Sequence, residues 1–250
     1  MLLFLTAGFT LYAQDGEAIV RSSRDRIKAD TISTRSRMVI QSRNGSTTER
    51  LIDQYSKDGP KGSRAVIVFQ QPASVAGTRF LTMANPGGAD DRWIYLPEIG
   101  RVRRVASSEG GGSFMGTDFS YDDISATSRS ADNDTHTILR EETLGGVQCY
   151  VIQSVPKDSS FQYSKMVQWI AKDTFVIMKI ELYDRRNTLV KTVEMSGIQN
   201  IQGNLTVTVT KMTTHAAGTS TTITNEIVKY NDPIPEVVFT VEFLETGRAR

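Results

Sequence analysis

Side chains able to do covalent or metal chemistry are scarce in this chain of 250 residues. Histidine occurs twice, at His136 and His215, and cysteine once, at Cys149. A lone cysteine excludes an internal disulfide and a Cys-rich zinc or iron–sulfur centre. Cys149 lies between Gln148 and Tyr150 in an alternating run, so it reads as a small buried hydrophobe rather than a nucleophile. Neither histidine has a Glu or Cys paired with it at ligand spacing, and each suits an ordinary surface imidazole. Asp118, Asp122 and Asp123 lack the alternating ligands and closing Glu of a calcium loop and suit turns and caps. The glycine-rich GGGSFMGT at 110–117 has no Gly-Lys-Ser/Thr ending and is no Walker A loop. No G-x-S-x-G elbow occurs either. The expectation is a protein with no catalytic residue, no metal and no cofactor.

What remains is apolar surface and a little clustered charge. Trp93 and Tyr95, two apart in an alternating run, share a strand face. Phe114, Met115, Phe119 and Tyr121 are interleaved with Gly110, Gly111, Gly112 and Gly116, a composition that resists regular pairing. Such a segment suits a mobile lid over an apolar site, or equally a static plug. Arg101, Arg103 and Arg104 are the strongest local basic group; they suit phosphate headgroups or an acidic partner, and equally a solvated strand face. With 29 Lys and Arg against 28 Asp and Glu, the net charge is +1, so no global field exists to hold nucleic acid.

These groups must be positioned by strands. Hydrophobic residues at 39% and charged residues at 23% are globular proportions that exclude disorder for the bulk of the chain. Residues 16–28 place Ile19, Val20 and Ile27 at helical spacing, predicting one short amphipathic helix. Alternating runs then follow at 34–41, 47–55, 64–69, 78–83, 92–96 and 101–106. The second half repeats them at 135–143, 147–155, 165–171, 175–183, 189–198, 205–214 and 221–229. The clearest hairpin turns at Asn44-Gly45. Run 64–69 is apolar on nearly both faces. Turn signals spaced by roughly 10 residues give about eleven antiparallel strands in a barrel or sandwich. The tail 234–245 (IPEVVFTVEFLE) fits a strand or a short helix equally.

The first residues, MLLFLTAGFTL followed by Tyr12, Ala13 and polar QDGE, are too short an apolar run to cross a bilayer and read as a secretory signal peptide over 1–13. The remainder, 14–250, has no Pro-rich or Ser-rich linker and is expected to be one domain, soluble and periplasmic.

About eleven strands offer on the order of 35 inward side chains, while the one predicted helix presents about three apolar ones. The sheet must therefore close on itself over a filled core or enclose a hollow. A hollow would be lined by Met38, Ile40, Phe69, Phe80, Trp93 and Tyr95 from the first half. Trp169, Met178 and Ile180 would line it from the second, with Phe114, Met115, Phe119 and Tyr121 as its cover.

The blocks FQQPASVAGTRFL, DDRWIYLPEIGRVRRV and GGSFMGTDFSYDDI, with the late VFTVEFLE, resemble the outer-membrane lipoprotein-sorting protein family, related to the periplasmic lipoprotein carrier LolA. The resemblance covers nearly the whole mature chain. It implies a mainly β fold: a single incomplete, strongly curved antiparallel β-barrel, with short helices covering its open side. It further implies a non-enzymatic carrier that holds acyl chains of a lipoprotein, a phospholipid or a fatty acid on the way to the outer membrane. An inner-membrane transporter of the resistance-nodulation-division type and an outer-membrane acceptor are the implied partners, and the carrier is expected to be a monomer. An arginine near the lid is also implied, without assignment to a position here. The alternative from a different class is an interaction module that partners such a transporter without lipid cargo.

Overall fold

The computed structural model describes residues 15–59, 62–85, 90–125 and 130–249, so the expected leader and its cleavage point at Ala13 lie outside the described residues. Every alternating run forms a strand. The first six are β1 (Thr31–Gln41), β2 (Thr47–Lys57), β3 (Arg64–Gln71), β4 (Arg79–Met83), β5 (Asp91–Leu96) and β6 (Arg101–Arg104). The rest are β7 (Asp134–Leu144), β8 (Val147–Pro156), β9 (Lys165–Ala171), β10 (Ile177–Tyr183), β11 (Leu189–Ile201), β12 (Asn204–Thr214) and β13 (Thr219–Tyr230). The thirteen strands correspond one to one with the alternating runs of the sequence, two more than the total of about eleven drawn from the turn spacing.

They form one antiparallel sheet in the order β6-β5-β4-β3-β2-β1-β13-β12-β11-β10-β9-β8-β7. The chain thus starts in the middle, meanders out to the β6 edge, reappears at the opposite β7 edge and meanders back until β13 pairs with β1. The sheet is not closed into a true barrel, since β6 and β7 remain edges. The chain between β6 and β7 must therefore pass from one edge to the other, and its described residues 105–125 and 130–133 lie over one face, called inner here.

Register fixes which side chains meet that crossing. Ile52 stands opposite Phe69, Ile67 opposite Phe80, and Phe80 opposite Ile94; Met38 stands opposite Ile223. Because side chains alternate across a strand, Val66, Leu81, Trp93 and Tyr95 point the other way. There the tail covers them. A 3-10 turn (Glu236–Phe239) leads into helix α3 (Val241–Thr246), which settles the open question of the tail in favour of helix. Thr240 caps α3 by accepting the Phe243 N–H, and Gly247, at φ +66°, ends it in the left-handed conformation. Val238, Phe239, Phe243 and Leu244 pack on Val66 and Leu81. The double-sided apolar character of β3 follows: Ile67 and Phe69 serve the inner face, Val66 and Val68 the outer.

On the β7 side, helix α1 (Gly16–Arg24) covers the inner face with Ile19 and Val20 against Ile152 and Ile170. It stops short of the predicted Lys28. The Asp25 N–H bonds to the Arg21 carbonyl, and the chain then turns so that Arg26 reaches the Leu205 carbonyl, which leaves Ile27 outside the helix. His136 is buried here, with Nδ1 2.7 Å from Ser154 Oγ and Nε2 3.0 Å from the Ala131 carbonyl, so it is a core imidazole and not a surface one. His215 is exposed and bonds Thr192. Cys149 is fully buried, and burial pushes its thiol above the usual range.

Two predictions concern the strap over the outer face. Leu244, with no exposed surface, should lose about 2–5 kcal/mol of unfolding free energy on replacement by Ala, measured by urea denaturation. Hydrogen bonds from Lys57 and then Arg64 hold the Glu236 carboxyl below its ordinary 4.5. A depressed folded value means a contribution present at neutral pH and lost as the pH falls from that value through the folded one. The Tm difference between wild type and Glu236→Gln should therefore shrink as the pH is lowered to about 3.

Candidate functional site

The crossing segment is ordered from its backbone outward. Val105 is buried on the inner face, and a 3-10 turn follows at Ser107–Glu109. Residues 113–120 then form a miniature hairpin in which the Phe114 N–H donates to the Phe119 carbonyl at 2.8 Å and the Thr117 N–H to the Phe114 carbonyl at 3.0 Å. Its central residues, Met115 and Gly116, have φ of +52° and +75°, the left-handed pair of a type I′ turn. Helix α2 (Tyr121–Ser125) completes the segment. Glycine serves close approach here as well: a Cβ on Gly110 would lie 2.3 Å from Asp122 Oδ1. Gly110 thus serves a close approach of the backbone to the Asp122 side chain.

The hairpin drives aromatic rings into the inner face. Phe114, without exposed surface, has ring centroids at 5.8 Å from Phe69, 5.1 Å from Phe80 and 5.6 Å from Tyr121, within the range of favourable aromatic pairing. Phe119 joins a neighbouring cluster with Tyr163, Leu182, Val193 and Met212, and Ile124 and Ile223 pack against both clusters.

Three carboxylates fasten this plug to separate strands. Asp118 accepts hydrogen bonds from the hydroxyls of Thr219 and Thr221 on β13 at 2.5 and 2.7 Å. Asp122 pairs with Arg92 on β5 at 2.7 Å. Asp123 pairs with Lys191 on β11 at 2.8 Å and accepts from the Tyr163 hydroxyl at 2.9 Å. Asp123 also caps α2, accepting the Ser120 N–H while its own N–H donates to Ser120 Oγ. Burial and the adjacent carboxylate of Asp123 drive the Tyr163 phenol far above its usual range. Arg50 on β2 donates from Nη1 to the Met115 carbonyl at 2.6 Å and stands 5.7 Å from the Phe69 ring centroid. It has no carboxylate partner among the described residues, and burial lowers its pKa.

The structure gathers Met38, Ile40, Phe69, Phe80, Phe114, Met115 and Tyr121 into one cluster, with Phe119 and Ile180 in the adjoining one. It does not bring the other four expected lining residues there. Trp93 and Tyr95 lie on the outer face beneath the C-terminal strap, because each is one position out of step with inward Ile94. Trp169 and Met178 are outer too, packed with Cys149, Val151 and Val167; Lys179 Nζ lies 4.3 Å from the Trp169 ring centroid. The three arginines of β6 do not make one patch. Arg103 pairs with Glu109 at 2.9 Å and Arg104 with Asp91, and alternation sends Arg104 to the face opposite Arg101 and Arg103.

Where a hollow was expected, the plug's own rings cover Phe69, Phe80 and their neighbours. Among the described residues, shallow grooves lie beside α1 and its C-terminal end, one lined by residues such as Asp15, Glu17 and Arg21, the other by Asp25, Asp30 and Asp58. No group of three or more His, Cys, Asp or Glu is placed to hold a metal among those residues. Arg50, Arg92 and Lys191 went unremarked in the sequence. Their signal was available: each sits in step with inward apolar residues, Ile52, Ile94 and Val193 respectively.

An open antiparallel sheet with a short-helix cover defines a LolA-like fold. It matches a LolA superfamily protein from Nitrosomonas europaea with a TM-score of 0.75 at 19% identity, over 92% of this chain and 100% of that one. A candidate outer membrane lipoprotein-sorting protein domain from Vibrio parahaemolyticus matches with a TM-score of 0.87 at 27% identity, over 92% and 98%. A DUF1329 family protein from Desulfovibrio piger matches with a TM-score of 0.88 at 30% identity, over 92% and 97%. The profile of a family described as "Uncharacterized protein"-like matches residues 61–246. No curated protein matches the chain. By the profile match, and by identity over nearly the whole Desulfovibrio piger protein, the chain belongs to the family these describe, DUF1329 in the latter's terms.

The plug predicts its own energetic weight. Phe114→Ala should lower unfolding free energy by about 3–5 kcal/mol in urea, since Phe114 touches rings from two strands as well as Tyr121.

Proposed function

We propose that this protein is a periplasmic, non-enzymatic carrier of acyl-chain amphiphiles, formed by residues 14–250 after removal of a leader over 1–13. In this reading the cargo takes the place of the plug. Lipoprotein acyl chains, a phospholipid or a fatty acid would occupy the inner face at Met38, Ile40, Phe69, Phe80 and Ile180. The carrier would receive them from an inner-membrane transporter and pass them to an outer-membrane acceptor, acting as a monomer. Support comes from the family, from the likeness to a lipoprotein-sorting domain, and above all from one observation: an aromatic hairpin lies on the inner face of an open sheet and is tied there by polar contacts.

The energetics favour exchange over permanent capture. Burying a sixteen-carbon chain gains up to about 12 kcal/mol at about 0.8 kcal/mol per methylene. Exposing Phe114, Met115, Phe119 and Tyr121 costs about 6–12 kcal/mol at 1.5–3 kcal/mol each. The cost offsets between about half and all of the gain, so the net drive to load is well below the full burial energy and favours release.

A second reading is favoured by the covered inner face itself: an interaction module that binds a transporter through its strand edges and carries nothing. Binding of a fluorescent fatty acid, together with native mass spectrometry of gently purified protein, separates the two. The carrier reading expects bound lipid, and tighter probe binding by Phe114→Ala than by wild type, because a weaker plug yields more readily. Leu244→Ala, destabilising but on the outer face, should leave probe affinity unchanged. A ligand-free wild type that ignores the probe would leave the interaction module.

A further inference from the structure

We infer that the ligand of the inner face is an anionic amphiphile, whose acidic headgroup takes over Arg92 and Lys191 from the carboxylates of Asp122 and Asp123. The inference rests on the carrier reading, because it assumes that the plug withdraws.

Arg92 is nine-tenths buried, at 10% side-chain exposure. Its Nη1 lies 2.7 Å from Asp122 Oδ1, yet neither Nη1 nor Nε makes an aligned hydrogen bond among the described residues. The guanidinium therefore keeps donors in hand that a better-placed acceptor could use. Lys191 is almost as enclosed, and its Nζ lies 2.8 Å from Asp123 Oδ2. Asp123 is served besides by Ser120, Gln162 and Tyr163. Lys191 is thus one of several partners that its carboxylate has.

Six strands lie between β5 and β11 in the sheet, so Arg92 and Lys191 belong to different walls. The crossing segment brings acid to both at once, through the consecutive residues Asp122 and Asp123. Arg50 adds a third cation on this face, with a buried Nε lacking an acceptor. When the plug leaves, its rings and its carboxylates leave together. An incoming alkyl chain restores the apolar contacts, whereas a neutral headgroup leaves buried cations unanswered, a costly state in low dielectric. A carboxylate or a phosphate answers both, and a guanidinium presents the fork that either acid fits. The plug, with its rings and its paired acids, has the chemistry of the molecule it makes way for.

The test uses three probes with one saturated chain, dodecanoic acid, dodecyl phosphate and dodecanol, each titrated into the full-length mature protein below its micelle concentration. The two acids should bind at least tenfold more tightly than the alcohol, and the stronger acid identifies carboxylate or phosphate as the natural group. Lys191→Gln and Arg92→Gln should each cut the acids' advantage over dodecanol about tenfold, a ratio in which any loosening of the plug cancels, with thermal melting as the check on folding. If Arg92→Gln does not fold, Lys191→Gln and the wild-type selectivity carry the test. Equal affinity for all three probes overturns the headgroup inference and leaves the carrier reading standing. Binding of none of them overturns both.

Discussion

The constraint on which this structure depends is topological. A sheet that begins in its own middle, with β1 paired to β13, and ends at two separate edges must send its chain across a face to join them. That passage lies between β6 and β7, and its described residues are 105–125 and 130–133. The inner face would otherwise present Phe69, Phe80, Met38, Met212 and their neighbours to water, so the passage has to supply apolar cover. It also carries backbone polar groups and three acidic residues into the interior, and each must find a partner. The miniature hairpin satisfies the backbone, and β13, β5 and β11 satisfy the acids.

The polar fastening is what makes the plug interesting as a device. Apolar contact alone is non-directional and would hold the segment against many positions on the sheet. Asp118, Asp122 and Asp123 convert it into one seat. Removing one partner of a buried ion pair is costly, though the pair as a whole adds little net stability. Such a seat is specific without being strongly favoured, which fits the proposed withdrawal of the segment and its return to the same place.

The two faces are specialised by the same alternation. The outer face of β3 to β5 is sealed by the strap from Glu236 to Thr246, anchored through Glu236 to Lys57 and Arg64 and through the Leu244 carbonyl to Arg79. With the outer face covered by a segment that caps and terminates cleanly, the contacts that the proposed exchange would break lie on the inner one. Trp93 and Tyr95, the most conspicuous aromatic pair in the sequence, belong to the sealed side.

The strands, the Asn44-Gly45 turn, the core character of Cys149 and the family signature were legible from residue types and their spacing, because alternation and turn chemistry are local properties. The helix of the tail was not, since a run apolar in both periods is decided by what it packs against. Nor was the face on which any strand's aromatics would lie. A period of two assigns residues to opposite sides, but only the partner register says which side meets the crossing segment. The sequence by itself thus determined an open sheet of alternating strands with apolar residues to spare. Tertiary structure alone decided that the spare surface is covered by the chain's own rings, and that Arg92, Lys191 and three aspartates, distant in sequence, meet beneath them.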